Sequence, residues 1–335
     1  MVDVVVTGGA LIAEEIKNDS KDFSFPMLKL QDVDYKEMIG GRGLRYLTDA
    51  TKMALITANK ALENAKLEEI SSERSGIVVA TNFASIATII DFDKTIIKDG
   101  PRAVGAMQSP NLVLNATAAK LGIHFDITGF NTTVSSGRVG SFDALDYACN
   151  MISNGEVDMV IVTGVEEMPE ELRNWLVETQ NMQEDDVKQF KQFSGTVILE
   201  SEEYAKSRGA EIYGKIANSA ATFNANYLLA QGSKEDDVEE YKYLTTSLLD
   251  ENVKVDNICL SNNRFVKKEK NEADFVKEAF SDTNIVYVED MFPGEMIGAT
   301  GIAQLLYSLD KFNKGKGIIY CNDWTGNFRA LLVEK

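Results

Sequence analysis

The sequence predicts an α/β fold of stacked layers, built from two similar halves. Short β-branched runs alternate with segments whose apolar residues fall at helical spacing, the pattern of βα units in mostly parallel or mixed sheets with covered faces. The two halves of the chain have similar make-up, which implies an internal duplication. The length of 335 residues corresponds to about two domain-sized units and allows a large core.

The elements follow in order. Val4-Val5-Val6 ends in Thr7-Gly8-Gly9, a strand closed by a turn. Over residues 44–67, apolar residues at 44, 47, 54, 55, 58, 61, 62 and 65 share one helical face, and the alanines there favour close packing. Residues 76–80 form a buried strand. Residues 110–121 form a helix entered through Pro110-Asn111, and 125–134 are extended. Residues 142–152 form a helix that Asn154-Gly155 ends, and 159–162 are another buried strand. The acidic, Gln-rich stretch 168–192 is helix and surface loop. Strands follow at 196–199, 212–216, 258–260, 285–288 and 317–320, with helices at 275–280 and 302–310. The run Lys234-Glu235-Asp236-Asp237 with Glu239-Glu240 is a solvated helix start rather than a metal site.

Composition excludes several functions. A net charge of −18 argues against broad contact with nucleic acid or an anionic membrane, since both need basic patches. No apolar run approaches the roughly 20 residues of a membrane span. The opening MVDVVVTGG has the character of a first strand, not of a signal peptide. Cys149, Cys259 and Cys321 are far apart and give neither a disulfide framework nor a zinc spacing. The expected compartment is the cytoplasm, and no metal is expected. The chain holds one histidine, His124, which excludes any mechanism that needs two from this chain.

Six stretches, in order, resemble the β-ketoacyl synthases of the thiolase-like superfamily. Val5-Val6-Thr7-Gly8 is similar to the family's opening strand, and Ser109-Pro110-Asn111 to its Met-Pro-Asn helix start. Gly129-Phe130-Asn131 resembles the Gly-Pro-Asn strand that leads to the nucleophile. Ala148-Cys149, Ile152 and Gly155 to Met159 resemble the helix and strand after it. Leu199-Glu200, then Ala205 to Ala210 with Ile212-Tyr213, resembles the link into the second half. Gly294-Glu295-Met296-Ile297-Gly298-Ala299-Thr300-Gly301 resembles Gly-His-x-x-Gly-Ala-Ala-Gly. The resemblance implies a thiolase-like layered αβαβα fold from two duplicated halves. Residues 1–195 and 196–335 would be those halves, in one compact unit.

A ketosynthase needs a cysteine thiolate to accept the acyl chain at a strand-to-helix turn, and two histidines to promote decarboxylation and bind the enolate. The resemblance puts Arg138 at the nucleophile position, Ser261 and Glu295 at the histidine positions and Asp290 at the position of a lysine. All four positions are lost. Arginine presents only donors and stays protonated, so it cannot carry an acyl group. Ser135 or Ser136 could serve only with an activating base, and the bland reading of Ser135-Ser136-Gly137 is a turn of small residues. His124 is a surface or packing residue. Cys149 is an inert core thiol, and Cys259 and Cys321 are structural. A buried arginine needs a partner, so an ion pair of Arg138 with Glu295 or Asp290 is expected.

A ketosynthase fold without catalytic residues resembles the chain length factor, the β subunit of type II polyketide ketosynthases. That resemblance implies a non-catalytic, cytoplasmic subunit that forms a heterodimer with a catalytic β-ketoacyl synthase and shapes its acyl tunnel, in polyketide or fatty-acid-like biosynthesis. The strand with Phe130, Asn131, Thr132 and Thr133 would pair with the partner's strand. Met107, Leu112, Leu114 and Asn115 would line its tunnel. The chain would need no cofactor of its own, since a phosphopantetheine-bound acyl chain reaches the complex on an acyl carrier protein docked to the partner. Two departures stand out: the family has glutamine where Arg138 stands, and the 168–195 region and the Asp323 to Phe328 loop are shortened or altered. The alternatives are a homodimeric acyl-binding or scaffold pseudoenzyme and, third, an acyltransferase with an atypical nucleophile.

Overall fold

A computed structural model describes residues 2–17, 22–179, 184–229, 238–249, 254–261, 272–280 and 283–335. The first half contributes β1 (Val4–Ala13), β2 (Met27–Lys29), α1 (Tyr35–Ile39), α2 (Asp49–Asn64), β3 (Ser75–Ala80), α3 (Ile86–Asp99), α4 (Ala116–Phe125), β4 (Phe130–Val134), α5 (Gly140–Ser153), β5 (Met159–Glu166), α6 (Glu170–Thr179) and β6 (Phe193–Ser201). The second contributes α7 (Glu202–Ser207), β7 (Gly214–Phe223), α8 (Asn226–Leu229), α9 (Val238–Leu248), β8 (Asn257–Leu260), α10 (Glu272–Ala279), β9 (Asn284–Tyr287), α11 (Thr300–Lys311), β10 (Lys316–Asn322) and β11 (Asn327–Glu334).

The strands join in the order β4-β3-β5-β6-β1-β7-β11-β10-β8-β9, with β2 paired to β1. Setting β2 aside, each half repeats one order: third, second, fourth, fifth, first. Pairing direction repeats too. β4, β3 and β5 are mutually parallel, as are β9, β8 and β10. The last two pairings of each half are antiparallel. The halves meet where Val4 to Val6 pair antiparallel with Ile216 to Gly214. This is the thiolase-like duplication expected from sequence.

Three apolar clusters bind five layers. α2 and α4 cover the outer face of the first half's strands through Met53, Ile56, Ala61 and Leu121. α5 and α11, equivalent helices of the two halves, fill the centre through Phe142, Leu145, Ile302 and Leu306. α9 and α10 cover the far side through Tyr241, Leu244, Phe275 and Val276. Burying one such side chain contributes about 1.5–3 kcal/mol, so these interfaces dominate the fold's stability.

Several expected bounds change. The helix expected at 44–67 is α2 alone, begun where the Thr48 hydroxyl accepts from Thr51 N. Residues 110–121 are not one helix. Pro110 lies in a 3-10 turn, Ala106–Asn111, because proline disfavours α geometry in the residue before it. α4 then starts at Ala116 and ends at Phe125, so 125–129 are not strand; Asp126 turns the chain at φ 53°. The strand expected from 212 starts at Gly214, and Val288 belongs to a 3-10 turn after β9.

Candidate active site

Two equivalent turns carry the site. In each half the turn before the central helix is a short 3-10 segment: Gly137–Val139 before α5 and Ile297–Ala299 before α11. Gly137 sits at φ +67°, and a Cβ on it would lie 2.6 Å from Asp323 Oδ2, so only glycine fits this turn. Ile297 also takes a left-handed conformation, φ 45°, which is strained for a β-branched residue. Its N–H donates to Glu295 Oε1 at 2.8 Å, which helps hold it there.

Arg138 is 1% exposed and Glu295 2%. Of the two partners expected for Arg138, the structure shows Glu295: Arg138 Nε donates to Glu295 Oε2 at 2.8 Å. Arg138 Nη2 donates to Ser261 Oγ at 2.9 Å, and Nη1 to the Asn322 carbonyl at 3.0 Å and to Cys321 Sγ at 3.4 Å. Glu295 Oε1 also accepts from Thr300 Oγ1 at 3.1 Å. Both charges are thus paired and hydrogen-bonded, the condition under which a buried pair is tolerated. A carboxylate so engaged is not free to act as a base. Asp290 is solvent-exposed and outside this buried set. Asn262, Asn263, Arg264 and Phe265, which follow Ser261, lie outside the described residues.

A strap covers Glu295. The 168–192 stretch forms α6 and a 3-10 turn, Glu184–Gln189, and then crosses the site instead of staying at the surface. Glu295 N donates to Gln189 O at 2.6 Å, and Lys191 N donates to Glu295 O at 2.9 Å. Phe190 between them is fully buried in a small apolar cluster with Met168, Leu172, Leu176, Val177 and Ile297. Gly294, φ +107°, permits this approach, since a Cβ there would lie 2.4 Å from Gln189 O. The 323–328 stretch is a tight hairpin turn in which Asp323 Oδ1 accepts from Thr325 N and Asn327 N.

The other candidates fall elsewhere. Met107 and Asn115 are exposed and Leu112 and Leu114 half-buried, along the 3-10 turn and loop that lead to α4. Phe130, Asn131, Thr132 and Thr133 lie on β4, which ends the strand order. Asn131 Nδ2 donates to Ala118 O, and Phe130 packs edge-on against Tyr147. Ser136 Oγ donates to Asp143, whose other oxygen accepts from Arg329 Nε at 2.6 Å. That carboxylate ties the turn to β11 rather than serving as a free base. His124 is exposed. Burial pushes the Cys149 thiol up to about 12, which leaves it inert at neutral pH. Cys259 is buried.

Sequence reasoning placed Cys321 near the expected site in a structural role, and the structure shows it touching Arg138 directly, though they stand 183 positions apart. It missed one group. Glu166 ends β5 and Glu167 follows it; both are buried, and desolvation pushes each up to about 7 against the opposing pull of their N–H donors. Two adjacent acids closing an apolar strand were a readable signal. Among the described residues no helix is long and apolar enough to cross a membrane, and no cluster of acids, cysteines or histidines has metal-ligand geometry.

A family model described as the β-ketoacyl synthase N-terminal domain matches residues 28–198. The 3-oxoacyl-[acyl-carrier-protein] synthase I, chloroplastic, of Arabidopsis thaliana is 26% identical over 211 residues, 57% of this chain and 45% of that protein. The match therefore spans less than half of that relative. A solved complex of a type II PKS acyl-carrier protein with its ketosynthase bound to the hexaketide contains a chain similar over 100% of this one and 99% of that one, at 19% identity and TM-score 0.79. The ishigamide ketosynthase/chain length factor structure is similar over 99% of each chain, at 17% identity and TM-score 0.75. At these identities the structural likeness concerns the fold.

Proposed function

The chain belongs to the β-ketoacyl synthase family, and we propose that within it this protein is a non-catalytic subunit of the chain-length-factor kind. It pairs with a catalytic β-ketoacyl-acyl carrier protein synthase and shapes that partner's acyl or polyketide tunnel. One observation carries the reading. The three positions that the resemblance equates with cysteine and two histidines hold Arg138, Ser261 and Glu295, locked together by hydrogen bonds in a buried set. No thiolate stands at the turn before α5, and the only acid in the set already serves a guanidinium. A second feature supports a partner. β4 ends the strand order, and an edge strand is a surface that proteins cover. α3 also carries a row of isoleucines with no residue buried, an apolar face of the kind that partners cover. The tunnel residues in this reading are Met107, Leu112, Leu114 and Asn115, and the phosphopantetheine-borne chain arrives on an acyl carrier protein docked to the partner.

The test is co-expression with a catalytic ketosynthase from the same gene neighbourhood, followed by size-exclusion chromatography with mass determination. The expected result is a stable 1:1 complex that condenses acyl units when neither subunit does so alone. A homodimer indifferent to that ketosynthase would replace this reading with the scaffold or acyl-binding one. Condensing activity of the isolated chain would replace it with an acyltransferase using another nucleophile.

A further inference from the structure

Glu166 is fully buried, and it belongs to no ion pair among the described residues. It collects neutral donors instead. Its Oε1 accepts from Asn82 N at 2.8 Å, Asn82 Nδ2 at 3.0 Å and Gly298 N at 3.1 Å. Its Oε2 accepts from Phe83 N at 2.8 Å and Thr81 Oγ1 at 3.1 Å. Asn82 passes the link on. Its Nδ2 also donates to Gly137 O at 3.0 Å, and its Oδ1 accepts from Gly137 N at 3.1 Å. One carboxylate is therefore bonded directly to the turn after Glu295 and, through one side chain, to the turn that carries Arg138. An independent fact agrees. A Cβ on Gly298 would lie 2.6 Å from both Glu166 Oε1 and Asn82 Nδ2, so the backbone is drawn in as far as glycine allows.

We infer that Glu166 is a positioning residue of the site: it sets the spacing between the turn of Arg138 and the turn of Glu295. Five donors converge on Glu166 from two segments, residues 81–83 and Gly298, so its carboxyl fixes their mutual spacing. Its neighbour Glu167 faces the other way, accepting from Ala50 N and Ala87 N in the first turns of α2 and α3. Glu167 therefore holds the helices while Glu166 holds the site. The inference rests on this geometry alone and stands whether or not the chain catalyses condensation.

Cys321, buried against Arg138, is the local reporter. The experiment follows alkylation of Cys321 and Cys259 in the full chain with N-ethylmaleimide, read by peptide mass spectrometry. It compares wild type with Glu166→Gln and with Glu200→Gln, a buried acid held by Arg208 on β6. In E166Q the amide must turn an NH2 toward donors on one side, and Cys321 labelling should rise at least tenfold while Cys259 stays at its wild-type rate. E200Q should move both thiols together or neither. Equal rises at Cys321 and Cys259 in E166Q, or a Cys321 as protected as in wild type, would overturn the inference. Should E166Q fail to fold, Asn82→Ala keeps the acid and removes only the relay. It should cut hydrogen-exchange protection of amides 135–139 at least tenfold and spare Gly298; unchanged protection at 135–139 would equally overturn it.

Discussion

Removing Glu295 is the sharpest perturbation of the site. In Glu295→Ala the Arg138 guanidinium stays buried and loses the acceptor of its Nε. Breaking a buried pair from one side costs about 3–5 kcal/mol, because the remaining charge is uncompensated. Ile297 N also loses its acceptor, and an orphaned buried donor costs about 1–3 kcal/mol. The Thr300 hydroxyl can rotate, so its loss is smaller. A sum near 5 kcal/mol is a large share of the 5–15 kcal/mol that holds a typical protein folded. Removing both partners, with Arg138→Met and Glu295→Ala, leaves no charge behind but leaves the Asn322 carbonyl and the Ile297 N–H unpartnered; a cost of about 2–6 kcal/mol, well below the sum of the two singles, is expected. The assay is urea unfolding of the four proteins of this cycle. Far-UV dichroism and the fluorescence of Trp175 and Trp324 must trace one transition before free energies are compared. A coupling energy of about 2 kcal/mol or more between the sites is expected. An E295A variant within about 1 kcal/mol of wild type, or a double variant that loses the sum of the singles, would refute the argument that the pair is mutually required.

Two further outcomes follow from the same geometry. Arg138→Cys restores a thiol at the turn but places it beside the Glu295 carboxylate with no cation, which raises a thiol's pKa. It should stay unacylated by acyl-pantetheine thioesters in intact-mass measurements, and a stable acyl adduct would count against the site reading. Burial raises Glu166 and Glu167 from 4.5 to about 7, with Asp49 adding its repulsion at Glu167. A raised carboxyl pKa stabilises the fold below the unfolded value, and that stability is lost as pH rises through the folded one. Each acid should therefore contribute on the order of 3 kcal/mol near pH 4.5 that is gone above about pH 7. Urea midpoints should fall between pH 5 and 7, and less steeply in Glu167→Gln; an identical slope in that variant would show that Glu167 does not titrate there.

What was legible in the sequence was what local pattern encodes. β3, β5 and β8 are short apolar β-branched runs, and α5 and α11 carry apolar residues at helical spacing, so all five could be read. α3 was missed although Ile86, Ile89, Ile90, Ile96 and Ile97 fall at helical spacing, because these β-branched residues favour strand and weaken the helical signal. β11 was missed because Arg329 and Glu334 flank its apolar centre. β5 was cut four residues short, and the omitted end holds Glu166. In the site, motif spacing found Arg138 and Glu295, at or just before turns that lead into helices, and Ser261, which directly follows β8, because such junctions keep a rigid sequence register. It could not find the Asn322 carbonyl, which reaches Arg138 only through pairing of the sheet's far strands. Side-chain identity says nothing about a backbone acceptor 184 positions away.

The use of an ion pair, rather than an apolar plug, follows from what surrounds it. The buried spot between the two central helices presents a carbonyl from Asn322, a hydroxyl from Ser261, an N–H from Ile297 and a hydroxyl from Thr300. Leucine or methionine at both positions would fill the volume but leave the carbonyl and the N–H unpartnered, at about 1–3 kcal/mol each. Guanidinium brings five donors in a planar fork, and carboxylate brings acceptors alone. Together they satisfy acceptors on one side and donors on the other while neutralising each other. Lysine could neutralise Glu295, but its single ammonium cannot span Glu295, Ser261 and the Asn322 carbonyl as the fork does. The specificity for arginine thus comes from the backbone and hydroxyl groups that the two turns and β10 expose, and only secondarily from charge.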